Sequence, residues 1–326
     1  MLITRSPLRI GLLGGGTDLP AIYESIGGKV INLTIDKHVY VTVSDRFEKG
    51  IRLSYSLTED VNHFSDIQHP IVRNVLNYFN YEKPIEINTI ADIPSRGTGL
   101  GSSSSFTVGL VNAIASHQGQ YINPRKLAEI ACDIEINHCN QVLGKQDQYA
   151  SALGGLNHIQ IATNGSVDVE AINSSPRFLS ELSDSLLCIF TGKSRSASKI
   201  LEEQTSEKQV SKKLALYKEM HDITSSGFNA IKNFDILGLS EAINKSWEIK
   251  RNLSKSISNN DIEEAINIGL KNGAYCGKII GAGSGGFLLF LAEPSRHDAI
   301  CQSLGHLRKM NVKIFPYGSS VIFSTK

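Results

Sequence analysis

Between residues 94 and 105 the chain reads Pro-Ser-Arg-Gly-Thr-Gly-Leu-Gly-Ser-Ser-Ser-Ser. Three glycines and four consecutive hydroxyls stand directly before a helical pattern. A helix beginning there leaves its first N–H groups unpaired, with the positive end of the macrodipole behind them. Glycine lets the backbone approach a ligand closely, and serine supplies hydroxyl donors or a metal ligand. That chemistry suits a polyphosphate. A shorter run would read as a flexible loop or an ordinary serine cap. The density of this one, its entry through Pro94 and its exit into an apolar helix favour a nucleotide phosphate loop. Its candidate contacts are Gly97, Gly99, Leu100, Gly101, Ser102, Ser103, Ser104 and Ser105.

Two other glycine clusters lie towards the ends. Residues 6–18 read Ser-Pro-Leu-Arg-Ile-Gly-Leu-Leu-Gly-Gly-Gly-Thr-Asp, and residues 281–286 read Gly-Ala-Gly-Ser-Gly-Gly. The second fits G-x-G-x-x-G, but a dinucleotide fingerprint follows a strand and opens a helix. Here a helical pattern comes before and an apolar run, 287–292, comes after, which excludes that site. Gly192-Lys193-Ser194 fails as a Walker loop, because the glycine required at position 187 is leucine. Among the acids, Asp18 alone would read as a helix cap, Glu135 as a paired structural carboxylate and Asp147 as an exposed loop residue.

The elements that must position these groups follow from patterning. With 326 residues there is room for two domains with substantial cores. Lysine plus arginine number 33 against 32 aspartate plus glutamate, which gives no support to nucleic-acid or anionic-membrane binding as the main role. No stretch reaches the ~20 apolar residues of a membrane helix, and the N-terminal segment with Arg5, Arg9 and its glycines is not a secretory signal. Five scattered cysteines without C-x-x-C fit reduced thiols in a cytoplasmic enzyme.

Strands are expected at 9–13, 29–33, 39–43, 51–55 and 85–90. Helical spacing of apolar residues predicts a helix over 106–117, behind the phosphate loop. Asn123-Pro124 supplies a cap and a first-turn proline for a helix over 124–137. Further strands are expected at 153–161 and 185–191. Long charged helices follow at 199–232, 237–253 and 261–277, then a strand at 287–292, a helix at 295–309 and closing strands at 312–315 and 320–323. The change of character near 175–185 divides the chain into units 1–180 and 181–326, and the fold class is α+β.

The loop spacing resembles the signature P-x-x-x-G-L-G-S-S-A/S of the GHMP kinases, with one extra residue between Pro94 and the G-L-G. Residues 6–18 are similar to the family's first motif, written P-G-R-x-x-x-x-G-E-H-T-D in galactokinases. Pro7, Arg9, Gly14, Thr17 and Asp18 match, while Gly15 and Gly16 replace the Glu-His pair, which points away from galactose. Residues 144–151 resemble the G-x-x-D-Q segment, and 281–286 the C-terminal G-A-G-x-G-G motif, whose loop packs on the phosphate loop in relatives.

The resemblance implies a two-domain fold, ribosomal protein S5 domain 2-like in its N-terminal part and ferredoxin-like in its C-terminal part. It implies Mg·ATP on the 97–105 loop, with Ser103 and Glu135 on Mg²⁺, an ion that takes few protein oxygens. It implies that Asp147 orients or deprotonates an acceptor hydroxyl and that Arg9 offsets charge at the reaction centre. Asp18, with Thr17 and Gly16, would hold sugar hydroxyls, and Gly283 would help close the site.

Residues 191–198 and 247–250, with the GGGTDLP and GKQDQYASALGG runs, look like the heptose 7-phosphate kinase branch of the family. Members phosphorylate the anomeric hydroxyl of D-glycero-D-manno-heptose 7-phosphate, on the way to a GDP-activated heptose for surface polysaccharide. Such a substrate needs a site for its own phosphate. Arg195 and Lys193 are the candidates, with Arg96 and Lys145 behind them. The expected partners are ATP and a sugar phosphate, with neither nucleic acid nor membrane, and a homodimer is left open. A fucokinase-like or other sugar 1-kinase and a sensor that binds ATP and sugar without turnover remain alternatives. A homoserine- or mevalonate-type kinase is disfavoured by the T-D and D-Q segments.

Overall fold

A computed structural model describes residues 1–93, 97–193, 197–205, 207–305 and 307–325. Its strands are β1 (Leu2–Leu13), β2 (Gly28–Asp45), β3 (Ile51–Ser54), β4 (Thr58–Val61), β5 (Ile85–Ala91), β6 (Leu156–Ile161), β7 (Val167–Ala171), β8 (Leu186–Phe190), β9 (Ala274–Ile279), β10 (Phe287–Ala292), β11 (Arg308–Met310) and β12 (Ser320–Ser324). Its helices are α1 (Pro20–Ile26), α2 (Pro70–Tyr78), α3 (Ser102–His117), α4 (Pro124–Asp133), α5 (Gln146–Leu153), α6 (Pro176–Ser185), α7 (Ala197–Thr205), α8 (Glu207–Lys232), α9 (Ile236–Leu253), α10 (Asn260–Lys271) and α11 (His297–Ser303). The class is α+β, as expected.

The strands form two sheets. The first runs β12-β1-β2-β5-β3-β4, with β6 and β7 continuing from the start of β2, and the second runs β11-β8-β10-β9. β1 and β2 are long because their apolar residues continue through the polar ones; the pairing slips between Pro7 and Leu8, where proline lacks the N–H a regular ladder needs. Leu8, Ile10, Leu12 and Leu13 are buried, and α3 packs against β1 and β2. Four helices start on proline, at 20, 70, 124 and 176, where the missing N–H leaves no bond unmade. Asn123 caps α4, its side chain accepting from the Lys126 N–H at 2.9 Å.

Several expected elements come out differently. The region expected as one helix at 199–232 holds α7 and α8 on either side of residue 206, which lies outside the described residues. The helix expected over 261–277 stops at Lys271, because Asn272 ends it and Gly273 turns at φ +103°, after which the chain enters β9. Likewise 295–309 holds a short helix, a left-handed Gly305 and then β11. Residues 312–315 form no strand; Ile314 makes one bridge to Ile35. β12 pairs with β1, so the end of the chain completes the first sheet. Among the described residues no helix is long and apolar enough to cross a membrane.

Candidate active site

The first sheet brings β1 beside the N-terminus of α3, and the second sheet closes the other wall. Between them lies a cleft of about 830 Å³ lined by residues of all three glycine clusters, by Arg9, Asp18 and Asp147, and by Lys250 and Lys278.

Gly101 precedes α3 at φ +75° and no side chain caps the helix. The Ser105 N–H reaches back to the Gly101 carbonyl, so the earlier N–H groups of the first turn have no helical acceptor. Gly97, Gly99, Gly101, Ser102, Ser103 and Ser104 line the cleft there. Leu100 is instead a core residue, and the Ser105 hydroxyl donates to the Pro7 carbonyl at 2.8 Å, tying α3 to β1. Pro94, Ser95 and Arg96 lie outside the described residues.

The loop is held from the other sheet. A Cβ on Gly99 would stand 2.3 Å from the Ile280 carbonyl oxygen, one on Gly281 2.6 Å from the Gly99 Cα, and one on Gly286 2.5 Å from the Thr98 carbonyl oxygen. Glycine alone permits this approach, and it brings the 281–286 cluster against the phosphate loop as expected. Gly283 does not line the cleft; its neighbour is Ile257.

Arg9 and Asp147 form a two-point pair. Arg9 Nε donates to Asp147 Oδ1 and Nη2 to Oδ2, each at 2.6 Å, while Nη1 donates to the Gly99 carbonyl at 2.5 Å. Fork-to-fork geometry of this kind fixes both groups, and the third bond ties them to the loop. Asp147 stands in the first turn of α5 and keeps about a quarter of its side chain exposed, against almost none for Arg9.

Asp18 is buried at the turn before α1. It accepts from the Gly16 N–H at 2.9 Å, from the Gln146 N–H at 3.2 Å and from Gln146 Nε2 at 3.1 Å to both oxygens. Burial raises its pKa, against these bonds. Gly16 lines the cleft, whereas Thr17 does not. The Thr17 hydroxyl donates to the Gly14 carbonyl and accepts from the Lys29 N–H, closing the glycine turn.

α4 continues into a π-helical turn at Ile134–His138 that carries Glu135; such turns re-aim side chains and recur at functional sites. Glu135 is wholly buried. Ser103 Oγ donates to its Oε1 at 3.4 Å and Gln148 Nε2 to its Oε2 at 2.6 Å. Burial pushes the carboxyl up to about 7. The Gln148 Oε1 is buried without a partner beside it. Ser103 lines the cleft and Glu135 stands behind it, not in its wall; a carboxylate and a hydroxyl together beside an open helix N-terminus fit a hard divalent cation.

Of the expected phosphate contacts, Arg195 lies outside the described residues. Lys193 is exposed and paired with Asp261 at 2.6 Å, away from the cleft. Lys145 donates to the Gly165 carbonyl at 2.6 Å and sits over the Tyr23 ring. Lys250, Lys278 and Gln146 also line the site; Gln146 and Lys250 stand inside the 144–151 and 247–250 runs but carry no expected role there, and Lys278 stands in neither. Their one signal was position: Lys250 falls on the buried face of α9 with Ile243, Trp247 and Leu253, and Lys278 alternates with Cys276 and Ala274 in β9.

The family model described as GHMP kinases N terminal domain matches residues 67–155, and GHMP kinases C terminal matches 228–306. The chain is 31% identical, over 92% of itself and 92% of the relative, to D-glycero-alpha-D-manno-heptose 7-phosphate kinase of Campylobacter jejuni. Among solved structures, a D-glycero-D-manno-heptose 1-phosphate kinase from Bacteroides thetaiotaomicron superposes with a TM-score of 0.81 at 23% identity, covering 99% of this chain and all of the other. Galactokinase of Lactococcus lactis, complexed with galactose, gives 0.78 at 17%, covering 98% and 94%. At these identities the two structures speak for the fold.

Proposed function

The chain belongs to the GHMP kinase family and is a phosphotransferase, and we propose that it transfers the terminal phosphoryl group of ATP to the anomeric C1 hydroxyl of D-glycero-D-manno-heptose 7-phosphate. The observation that carries the reading is the Arg9–Asp147 pair, anchored by Gly99 to an uncapped helix N-terminus. That is the arrangement phosphoryl transfer needs, because its catalysis is chiefly positioning and charge stabilisation. The 31% identity to a heptose 7-phosphate kinase along 92% of the chain supports the acceptor.

On this reading the open N–H groups of α3 and the glycines at 97, 99 and 101 cradle the nucleotide phosphates. Ser103 and Glu135 hold Mg²⁺, which when bound draws charge from the phosphate oxygens. Asp147, kept in place by Arg9, accepts the proton of the acceptor hydroxyl or turns its lone pair towards the phosphoryl group. Gly16 and the Asp18–Gln146 turn shape the acceptor side.

The test is ADP release from Mg·ATP with the phosphorylated heptose, beside mannose, fucose, galactose and the unphosphorylated heptose. Turnover confined to heptose 7-phosphate supports the proposal. Turnover of an unphosphorylated sugar keeps the kinase and replaces the acceptor, and no turnover with any sugar overturns the acceptor class.

A further inference from the structure

Two cleft-lining lysines, Lys250 and Lys278, have no expected role, and both are buried. Lys250 Nζ donates to the Gly281 carbonyl at 2.7 Å, its one hydrogen bond among the described residues. Lys278 Nζ donates to the Gly11 and Leu12 carbonyls at 3.0 and 2.9 Å. An ammonium has three N–H groups, so Lys250 retains two for a ligand and Lys278 one.

The place of Lys250 is defined on two sides. Gly281 lies against Gly99 of the phosphate loop, and a Cβ on Gly15 would stand 3.6 Å from Lys250 Nζ and 3.5 Å from Gln146 Nε2. The ammonium therefore stands between the phosphate loop and the turn that holds Asp18. The other charges there are matched: Arg9 by Asp147, and the Asp18 oxygens by N–H donors from Gly16 and Gln146. Neither lysine makes an ion pair within 4 Å among the described residues.

A buried ammonium with no ion-pair partner in contact is unfavourable, and an apolar side chain at either position would avoid that. Burial pulls Lys250 down to about 8 against the opposing charges of Asp18 and Asp147, and Lys278 to about 7, the second helped by the first. An anion between the two loops would reverse this.

We propose that Lys250, backed by Lys278, is a phosphoryl ligand whose free N–H groups take an oxygen of a phosphoryl group lying between the phosphate loop and the Asp18 turn. The ligand's chemistry rests on the kinase reading, which brings two such groups to the cleft: the terminal phosphoryl of ATP and the phosphate of the acceptor. Neither Arg195 nor Lys193 is needed for it.

Calorimetry on wild type, Lys250→Met and Lys250→Arg, with four probes, tests the proposal. The probes are Mg·AMP-PNP, Mg·ADP, heptose 7-phosphate and the unphosphorylated heptose. Lys250→Met should weaken one phosphoryl-bearing probe about tenfold or more, the worth of a charge-assisted hydrogen bond, and spare its partner within about twofold. Loss of AMP-PNP but not ADP identifies the terminal phosphoryl, and loss of heptose 7-phosphate but not heptose identifies the acceptor's phosphate. Lys250→Arg should retain most of the affinity. Equal binding of all probes by Lys250→Met overturns the inference, and so does a parallel loss of all four, which marks a structural role.

Should Lys250→Met not fold, the wild-type affinity ratio for the same pairs serves between pH 7 and about pH 9.5. There Lys250 and Lys278 lose charge, with Asp18, Asp147, Arg9 and Cys276 the ionisable groups that face them; a constant ratio overturns the inference. Wild-type protein that binds none of the probes overturns this inference and the kinase reading together, whereas wild-type binding that survives Lys250→Met overturns this one alone.

Discussion

Arg9 grips both oxygens of Asp147 at 2.6 Å, so the candidate base and the candidate cation are one unit before any substrate arrives. Asp147→Asn keeps the shape and removes the charge. It should lower kcat by at least the ~10²-fold of general-base catalysis, with little change in nucleotide affinity. Initial-rate kinetics and a nucleotide titration check this, and kcat within a few fold of wild type would remove Asp147 from the reaction.

The seam between the glycine loops is backbone against backbone. Gly99→Ala places a Cβ 2.3 Å from the Ile280 carbonyl oxygen at φ +79°. The left-handed conformation alone costs about 1–2 kcal/mol, and the contact adds to it. We expect a lower Tm and a raised KM for ATP; Gly119→Ala, where nothing lies within 4 Å of the added atom, should give only the conformational loss. Thermal melts and ATP saturation curves of the two variants provide the comparison.

Glu135 is wholly buried beside Ser103. Glu135→Gln preserves the packing and removes the anionic oxygen, so activity should require a higher Mg²⁺ concentration while the acceptor KM stays near wild type. Magnesium titration of the rate reads the effect. An unchanged magnesium requirement would place the ion elsewhere.

Lys250 carries a pKa lowered by burial to about 8, against an ordinary 10.5 in the unfolded chain. Between those values the unfolded state binds more protons, so this group makes stability rise with pH from about 8 to 10.5. The charged form is the unfavourable one. Ligand-free Lys250→Met should therefore be more stable than wild type at pH 7, with the gap closing towards pH 10. Denaturant melts at the two pH values measure it.

Lys193 and Asp261 are both more than half exposed, and a pair of that kind contributes ~0–1 kcal/mol. Lys193→Ala should leave Tm within about 1 °C of wild type and the KM for heptose 7-phosphate within about twofold. A tenfold rise in that KM would restore Lys193 as a phosphate contact.

Much of the site was legible because its chemistry demands rare local sequence. Glycines at 97, 99 and 101 followed by serines suit little besides a phosphate cradle, and Arg9, Asp18 and Asp147 stood in recognisable runs. Neither Lys250, though it ends the 247–250 run, nor Lys278 signalled a role, since a lysine in a charged helix or beside a glycine reads as solvated until the fold buries it. Thr17 and Ser105 show the opposite failure. Both are hydroxyls in the right run, yet each is turned towards backbone. In the fold, the helix expected over 261–277 failed at Gly273, where an apolar pattern continued through a change of period. β4 and β7 are short and polar, so they left no trace.

β12 completes the first sheet by pairing with β1, more than 300 residues away in sequence: Leu2 lies opposite Ser324 and Ile3 opposite Phe323. During synthesis at about 5–20 residues per second, β1 is made some 300 residues before β12 and waits for that neighbour. A ribosome-bound chain that has not reached residue 320 exposes the outer edge of β1, with Leu2 and Ile3 along it, as an open template for another strand. Pairing across so long a separation is also slow to form. The kinase would thus be prone to aggregate until β12 is made, and chaperones that shield strand edges should matter more to its yield than to its final stability.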